Sequence, residues 1–171
     1  RVSDVINAIS AKFNDEPCAA WLGENGAGHF VKTIHNGIEY ADMQMIAEIY
    51  GIMRDGMGME ASSMAGVFEA WNSGPLDSFL IDITSKVLAT GDDKTGKPLV
   101  DVILDAAGQK GTGRWSAIES QQMAVPASAI EAAVGARSLS AMTGLRAEAE
   151  KLLGKPELGA FEAGDNAVEL L

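Results

Sequence analysis

The chain has 171 residues, of which 47% are hydrophobic, and it carries a formal net charge of −11. This length accommodates one ordinary core and is too short for two full domains. The acidic balance argues against a nucleic-acid partner, because a phosphate backbone needs a basic surface. No apolar run reaches the ~20 residues of a membrane span, and no signal-peptide pattern opens the chain. With a lone cysteine, Cys18, and hence no internal disulfide, the sequence predicts a cytoplasmic protein without a membrane partner.

The first 22 residues combine a helical pattern with a short strand-like run. Apolar residues recur at helical spacing over residues 1–14, and Ser3 or Asp4 is available as an N-terminal cap. After a polar break, the apolar run 18–22 ends at a glycine and predicts a buried strand. We therefore interpret residues 1–22 as the last αβ unit of another domain.

A glycine-rich loop, residues 23–28, leads into the longest predicted helix, which runs to about Tyr50. Such loops can place backbone N–H groups around an anion. This loop lacks the G-x-G-x-x-G spacing of dinucleotide sites, and a plain linker turn is the alternative. Asn36-Gly37 alone would indicate a hairpin, yet the helical period continues through it. We interpret Gly37 as a point where another helix or a ligand comes close.

Two stripes of side chains run along this predicted helix. One stripe is apolar and consists of Val31, Ile34, Ile38, Ala41 and Met45. The other, the polar stripe, gathers five chemistries at i, i+3, i+4, i+7 and i+8, namely Lys32, His35, Asn36, Glu39 and Tyr40. An amine and a carboxylate in one cleft can supply a base and an acid, whereas an ordinary solvated helix face is the alternative. His29 lies off the polar stripe and is interpreted as structural.

The rest of the chain is predicted to be mostly helical. Residues 61–73 and 76–90 predict two antiparallel helices joined by a short turn. A polar loop at 91–98 precedes a predicted helix at 99–107. Three further helices are predicted at 116–123, 126–142 and 146–153. The sequence therefore predicts an all-α fold beyond its first 22 residues.

The second glycine cluster, residues 108–115, contains the groups that phosphate binding uses. These are glycine amides, the Thr112 hydroxyl and the cations Lys110 and Arg114. An exposed turn between two helices is the alternative. Arg137 stands alone in an apolar helix, where it either pairs with a carboxylate or contacts the same phosphate. Two histidines and one cysteine leave no metal constellation, so no metal site is expected.

Several runs of residues carry a family resemblance. They are Gly26-Ala27-Gly28-His29-Phe30-Val31-Lys32, His35-Asn36-Gly37-Ile38-Glu39-Tyr40, Asp42-Met43-Gln44, Phe68-Glu69-Ala70-Trp71-Asn72, Leu76-Asp77-Ser78-Phe79-Leu80-Ile81, Gly108-Gln109-Lys110-Gly111-Thr112-Gly113-Arg114-Trp115 and Ala136-Arg137-Ser138-Leu139-Ser140. In this order and spacing they closely resemble the signature of 6-phosphogluconate dehydrogenases, and the resemblance fades after about residue 142. The sparser pattern of Gly26, Gly28, Lys32 and Asn36 is shared with the wider β-hydroxyacid dehydrogenases.

The resemblance implies an all-α domain of the 6-phosphogluconate dehydrogenase type, preceded by a short αβ remnant of a Rossmann domain. Residues 1–22 would end the nucleotide-binding domain, and residues 23–171 would form an incomplete substrate-binding domain. The implied enzyme oxidises 6-phosphogluconate at C3 with NADP, loses CO₂ and protonates the enediol to give ribulose 5-phosphate. Enzymes of this family work as homodimers. The present chain by itself is expected to be inactive, since the cofactor-binding residues would lie upstream.

The resemblance also implies roles for individual residues. Lys32 would be the general base, and Glu39 the acid that helps to protonate C1. Substrate binding would fall to His35 and Asn36 for the carboxylate and hydroxyls, and to Tyr40, Lys110, Thr112 and Arg137 for the phosphate. Two alternatives stay open: a related hydroxyacid dehydrogenase that acts on another acid, and a non-catalytic helical dimerisation module. The second alternative predicts that packing covers the polar stripe.

Overall fold

Seven α-helices and one short β-hairpin are found among the residues that the computed structural model describes, which are 2–156, 159, 164 and 167–171. In chain order the helices are α1 (Ser3–Ile9), α2 (Ala27–Gly51), α3 (Ala61–Asn72), α4 (Phe79–Ala89), α5 (Thr112–Gln122), α6 (Ser128–Ala141) and α7 (Thr143–Leu153). The hairpin pairs β1 (Lys12–Phe13) with β2 (Glu16–Pro17) in antiparallel fashion. A π-helical turn spans Ile52–Gly56, and 3₁₀ turns span Leu99–Asp101 and Ala167–Leu170. The predicted all-α fold is confirmed.

α2 packs against α5 and α6, and it runs unbroken through Asn36-Gly37 as predicted. Its buried face coincides only in part with the predicted apolar stripe, of which Ala41 is buried and Ile34 is half-buried. Val31 and Ile38 are 46% and 51% exposed, whereas Gly37 and Tyr40 are buried. The packing face is rotated towards the polar stripe because α5 and α6 dock on that side. Apolar periodicity therefore located the helix but did not identify its buried face.

The main hydrophobic core lies where the π-helical turn meets α3 and α4. Met53, Met64 and Phe68 are almost completely buried there, and Leu88 of α4 closes the cluster. Removing one such side chain from water stabilises the fold by about 2 kcal/mol. Trp71 packs edge-on against Phe68, with 5.2 Å between the ring centroids. This core holds the far end of α2 in place.

Side-chain hydrogen bonds fix the turn between α3 and α4. Asn72 Oδ1 accepts from the backbone N–H of Ser78 at 3.0 Å. Ser78 then caps α4, because its Oγ accepts from the N–H of Ile81 at 3.3 Å. Across the helix pair, Ser85 Oγ donates to the carbonyl of Ala65 at 3.0 Å. The predicted pair of helices with a short connection is confirmed.

The N-terminal segment differs from its prediction. α1 is shorter than the predicted helix, and Val2 precedes it without a side-chain cap from Ser3 or Asp4. The run 18–22 forms no strand, and Trp21 within it is 79% exposed. A buried strand needs a sheet to join, and the described residues contain only the small β1–β2 hairpin.

That hairpin was missed at the sequence level, although its turn has a local signature. Asn14 and Asp15 link β1 to β2, and both have positive φ, 49° and 65°. Two consecutive residues of positive φ are what a type I′ hairpin turn requires, and Asn and Asp adopt that conformation most readily after glycine.

A second difference lies at residues 99–107, where the predicted helix is reduced to the turn Leu99–Asp101. Isolated helices shorter than about 12 residues are marginal in water unless one face is packed. Ile103 and Leu104 are 52% and 82% exposed, so burial does not stabilise a helix here. Helix boundaries shift as well: α5 and α7 begin earlier than predicted, and α6 begins later.

Candidate functional site

The site is built where α5 and α6 cross the middle of α2. At the crossing, a Cβ added to Gly37 would lie only 2.6 Å from Ser116 Oγ. The Ser116 side chain is 1% exposed, and its hydroxyl lies 2.7 Å from the carbonyl of Thr33 and 3.0 Å from the carbonyl of Thr112. Only glycine permits this approach, so the prediction of a close contact at Gly37 is confirmed. The crossing sets the polar stripe beside the start of α5.

Three members of the polar stripe approach one ring nitrogen of a fourth, His35, and we name this cluster of four residues the His35 junction. His35 Nδ1 lies 3.2 Å from Lys32 Nζ, 3.4 Å from Asn36 Oδ1 and 3.4 Å from Glu39 Oε2. The helical spacing predicted this neighbourhood, because residues three and four apart share a face. The side chains of His35 and Glu39 are 56% and 43% exposed. The junction is therefore open to a ligand within the described chain.

The hydrogen bonds that the His35 junction can form depend on the protonation of the ring. When the imidazole is neutral with its proton on Nε2, Nδ1 accepts a hydrogen bond from Lys32 Nζ. When the ring is protonated, Nδ1 becomes a donor and can pair with the Glu39 carboxylate instead. The partner of Nδ1 thus depends on the charge of the ring. The Lys32 amine and the Glu39 carboxylate are thus both within 3.4 Å of one imidazole nitrogen.

Tyr40, the last member of the polar stripe, is buried and belongs to the packing face. Its ring lies against Gly113 of α5, where an added Cβ would come within 2.6 Å of Tyr40 Cε2. The guanidinium carbon of Arg137 lies 4.1 Å from the centroid of the same ring. A cation over a tyrosine face is attracted by the ring quadrupole. Tyr40 therefore contacts both Gly113 and Arg137.

The contacts of Arg137 bear on one of its two sequence interpretations, the pairing with a carboxylate. Its Nη1 donates to the carbonyl of Gly108 at 2.7 Å, and its Nη2 lies 3.1 Å from Met43 Sδ. Among the described residues, no carboxylate lies within salt-bridge distance of the guanidinium. The expected alternative of a carboxylate partner is therefore wrong for this part of the chain. The guanidinium thus contacts a carbonyl, a thioether and an aromatic ring at the edge of the glycine cluster.

The glycine cluster, residues 108–115, ends in the first turn of α5. Gly111 has φ +108°, a left-handed conformation that favours glycine, and Thr112 follows as the first helical residue. Asn36 Nδ2 reaches Thr112 Oγ1 at 3.5 Å, a long contact that connects the polar stripe to this helix N-terminus. Lys110 is exposed, and no hydrogen bond joins it to the polar stripe within the described chain. The cluster is thus more than an exposed turn, since it forms one wall of the site.

α6 holds this loop through side chains to which the sequence interpretation gave no role. The N–H of Ala107 donates to Ser140 Oγ at 3.0 Å, and Gln109 Nε2 donates to Ser138 Oγ at 3.1 Å. Together with the bond from Arg137 to Gly108, three consecutive loop residues are tied to one helix. Ser138 and Ser140 are polar residues in an otherwise apolar stretch of α6, and this feature of the sequence could have indicated that they hold the loop.

Two further observations concern metals and membranes. Among the described residues, no group of three or more His, Cys, Asp or Glu side chains is arranged to hold a metal ion. None of the described helices combines the length and the hydropathy of a membrane span. His29, for which the sequence predicted a structural role, is exposed at the start of α2.

The fold and the site define a mainly helical chain in which a lysine, a histidine and a glutamate on α2 lie near a glycine loop that contains two basic residues. A model of the 6-phosphogluconate dehydrogenase C-terminal domain matches residues 28–170. The chain belongs to the 6-phosphogluconate dehydrogenase family. The resemblance found in the sequence motifs is therefore confirmed.

Curated relatives and a solved structure agree with this assignment. The chain is 54% identical over 157 residues to a decarboxylating 6-phosphogluconate dehydrogenase of Schizosaccharomyces pombe, covering 91% of this chain and 32% of the relative. It is 50% identical to the NADP(+)-dependent enzyme of Bacillus subtilis, covering 92% of this chain and 34% of the relative. The structure of Plasmodium falciparum 6-phosphogluconate dehydrogenase superposes with a TM-score of 0.88 at 39% identity, covering 96% of this chain and 35% of that one. The chain thus spans about a third of the length of these relatives.

Proposed function

We propose that this chain carries the acid–base and substrate-binding residues of an enzyme that oxidises and decarboxylates 6-phosphogluconate to ribulose 5-phosphate, with reduction of NADP. The observation that carries the proposal is the His35 junction, in which an amine and a carboxylate meet one imidazole on an exposed helix face. The relatives add support. The Bacillus subtilis relative is named as NADP(+)-dependent and decarboxylating, and the Plasmodium falciparum enzyme was solved with NADP+ and with 6-phosphogluconate.

The proposed proton transfers use the two ends of the His35 junction. Lys32, as the free amine, takes the proton of the C3 hydroxyl while a hydride leaves C3, and bound NADP would supply the hydride acceptor. The resulting β-keto acid loses CO₂, and the C3 oxygen recovers a proton from the Lys32 ammonium. Glu39, as the acid, then helps to protonate C1 of the enediol. His35 and Asn36 would hold the substrate's carboxylate and hydroxyls.

The substrate's phosphate is assigned to the other wall of the site. Arg137 has its charge uncompensated within the described chain and is oriented by the Tyr40 ring and the Gly108 carbonyl. Its planar fork suits two oxygens of one phosphate. Thr112 opens α5, where the helix N-terminus favours an anion, and Lys110 can swing in from solvent. These contacts favour a sugar phosphate over an unphosphorylated hydroxy acid.

We propose that NADP binds outside the present chain. The loop 23–28 lacks the G-x-G-x-x-G spacing and follows an exposed extended segment instead of a sheet strand, so none of its residues is assigned to the cofactor. Residues 1–22 would end a nucleotide-binding domain, and residues 23–171 would form the first part of the helical domain. The exposure of Phe13 (72%) and Trp21 (79%) fits a segment that such a domain covers.

We further propose that the whole protein is a cytoplasmic homodimer that binds neither nucleic acid nor membrane. The exposed side of α2 carries an open apolar groove of about 280 Å³, lined by His35 and by Phe30, Val31, Ile34 and Ile38. Apolar surface of this kind is typical of protein–protein contacts. The net charge of −11 opposes phosphate-backbone binding. The alternative of a purely structural dimerisation module fits less well, because the His35 junction is not covered by packing within the described chain.

Steady-state kinetics of the complete enzyme tests these assignments by separating kcat from KM. Lys32→Met is expected to lower kcat by roughly 10²-fold or more, the range of general-base catalysis. Arg137→Met is expected to raise KM for 6-phosphogluconate by roughly ten- to a hundredfold, because a hydrogen bond to a charged group contributes about 1.5–3 kcal/mol. The 171-residue chain alone is expected to reduce no NADP.

Matched controls are available in the same chain. Lys94→Met and Arg54→Met remove the same charges from the exposed 91–98 loop and from an Arg54–Asp55 ion pair at the π-helical turn. Both should leave kcat and KM near the wild-type values. Unchanged turnover in Lys32→Met would refute the base assignment. An Arg137→Met variant that keeps its KM would refute the phosphate assignment and favour a different hydroxy acid.

A further inference from the structure

The dipeptide Asn-Gly occurs twice in this chain, at Asn25-Gly26 and at Asn36-Gly37, in opposite environments. Asn25 is exposed in the loop before α2 and has φ +55°. Asn36 lies inside α2, and its glycine neighbour is buried against Ser116. The same dipeptide therefore lies in an exposed loop at one position and inside a packed helix at the other.

Asn-Gly has a defined intramolecular reaction. The deprotonated backbone nitrogen of the glycine attacks Cγ of the asparagine, the bond from Cγ to the side-chain nitrogen breaks, and ammonia leaves. The product is a five-membered succinimide. Water then opens one of its two C–N bonds to give aspartate or isoaspartate. The sequence consumes one water and releases one ammonia, with no oxidant or cofactor.

Attack requires that the asparagine rotate its backbone and that the glycine nitrogen be free. The N–H of Gly26 makes no hydrogen bond to any described residue, and no atom lies within 4 Å of the position a Cβ would take. Glycine adds no side chain to shield its nitrogen. The N–H of Gly37, by contrast, belongs to the hydrogen-bonded interior of a helix, where rotation would break α2 and its contact with Ser116.

We propose that Asn25 is a site of spontaneous deamidation in the folded protein and that Asn36 is protected. The new carboxylate would stand directly before α2, whose first turn holds no acidic residue and whose N-cap, Gly26, provides no side-chain hydrogen bond. An aspartate there interacts favourably with the positive end of the helix dipole. An isoaspartate instead adds a backbone atom at the entry to the helix that carries the His35 junction.

Peptide mapping by mass spectrometry tests the proposal on the full chain, aged at mildly alkaline pH and physiological temperature. The peptide with Asn25 should gain the mass of one deamidation, as a mixture of aspartate and isoaspartate. The peptide with Asn36 should react at least roughly tenfold more slowly, since its reaction needs local unfolding. In concentrated urea the two sites should react at similar rates, because they share the same dipeptide.

Gly26→Ala provides a matched variant, since Gly26 has φ −91° and open space around it. The added methyl group should slow the reaction at Asn25 while leaving the far-UV circular dichroism unchanged. Equal rates at the two asparagines in the folded chain would overturn the proposal. So would a folded chain in which Asn25 remains intact while the urea-unfolded chain deamidates.

Discussion

Gly37→Ala measures how tightly α2 and α5 approach each other. The added Cβ would lie 2.6 Å from Ser116 Oγ, 2.7 Å from Ser116 Cβ and 3.3 Å from Ile130 Cδ1. Carbon atoms in proteins do not approach that closely, so a neighbour must move. Ser116 cannot swing away freely, because it is 1% exposed and its hydroxyl is bonded to the carbonyl of Thr33.

The expected magnitude follows from opposing effects. Alanine is favoured over glycine in a helix interior by about 1 kcal/mol. Overpacking a filled contact costs about 1–3 kcal/mol, and displacing the Ser116 hydroxyl loses about 1 kcal/mol for each hydrogen bond. The net expectation is a decrease of about 1–4 kcal/mol in the free energy of unfolding. Steric overlap therefore outweighs helix propensity at this position.

Urea unfolding of the full chain, followed by far-UV circular dichroism, provides the assay. Gly66→Ala is the matched control, because Gly66 lies inside α3 with no atom within 4 Å of its added Cβ. That control should stabilise the chain by about 0.5–1 kcal/mol. The two glycine-to-alanine changes are thus expected to move the midpoint in opposite directions. In a Ser116→Gly background, Gly37→Ala should cost less, which a double-mutant cycle detects as coupling.

One result would refute the reasoning directly. If Gly37→Ala raised the midpoint as much as Gly66→Ala, the helices could not be in contact at Gly37. Close packing against Ser116 would then not explain why a glycine occupies position 37 inside α2.

Two other predictions use different contacts. Gly113→Ala would bring a Cβ within 2.6 Å of Tyr40 Cε2; it should displace the ring from beneath Arg137 and weaken inorganic phosphate binding in a calorimetric titration. An unchanged affinity would contradict the supporting role of the ring. Thr95 donates through its hydroxyl to Asp92 Oδ2 at 2.7 Å, which lowers the pKa of Asp92 below its ordinary value. Because the folded pKa is the lower one, the resulting stabilisation is present above the ordinary pKa and is lost as the pH falls through the lowered value. Thr95→Val should raise the pKa of Asp92 in a carboxyl NMR titration, and an unchanged pKa would show that the backbone N–H of Thr95 suffices.

The structure also corrected three local predictions for one shared reason. The strand expected at 18–22, the helix expected at 99–107 and the burial of Val31, Ile38 and Met45 on the apolar stripe of α2 were all inferred from the hydrophobic pattern. Each of these predicted elements needed another part of the protein to pack against it, and among the described residues no such partner covers it. A hydrophobic pattern indicates which residues favour burial, whereas their actual burial depends on which other elements pack against them.

The sequence alone determined the length and continuity of α2, the grouping of Lys32 with His35 and Glu39, and the family. The first two features are local, because helical spacing brings residues three and four apart onto one face whatever else surrounds the helix, and the family follows from motifs spread along residues 26–140. Only the tertiary structure determined that Tyr40 is buried, that Arg137 has a ring and a carbonyl as partners, and that α6 ties down the glycine cluster. Those contacts join residues far apart in the chain, and they arise from the close approach of helices at Gly37 and Gly113.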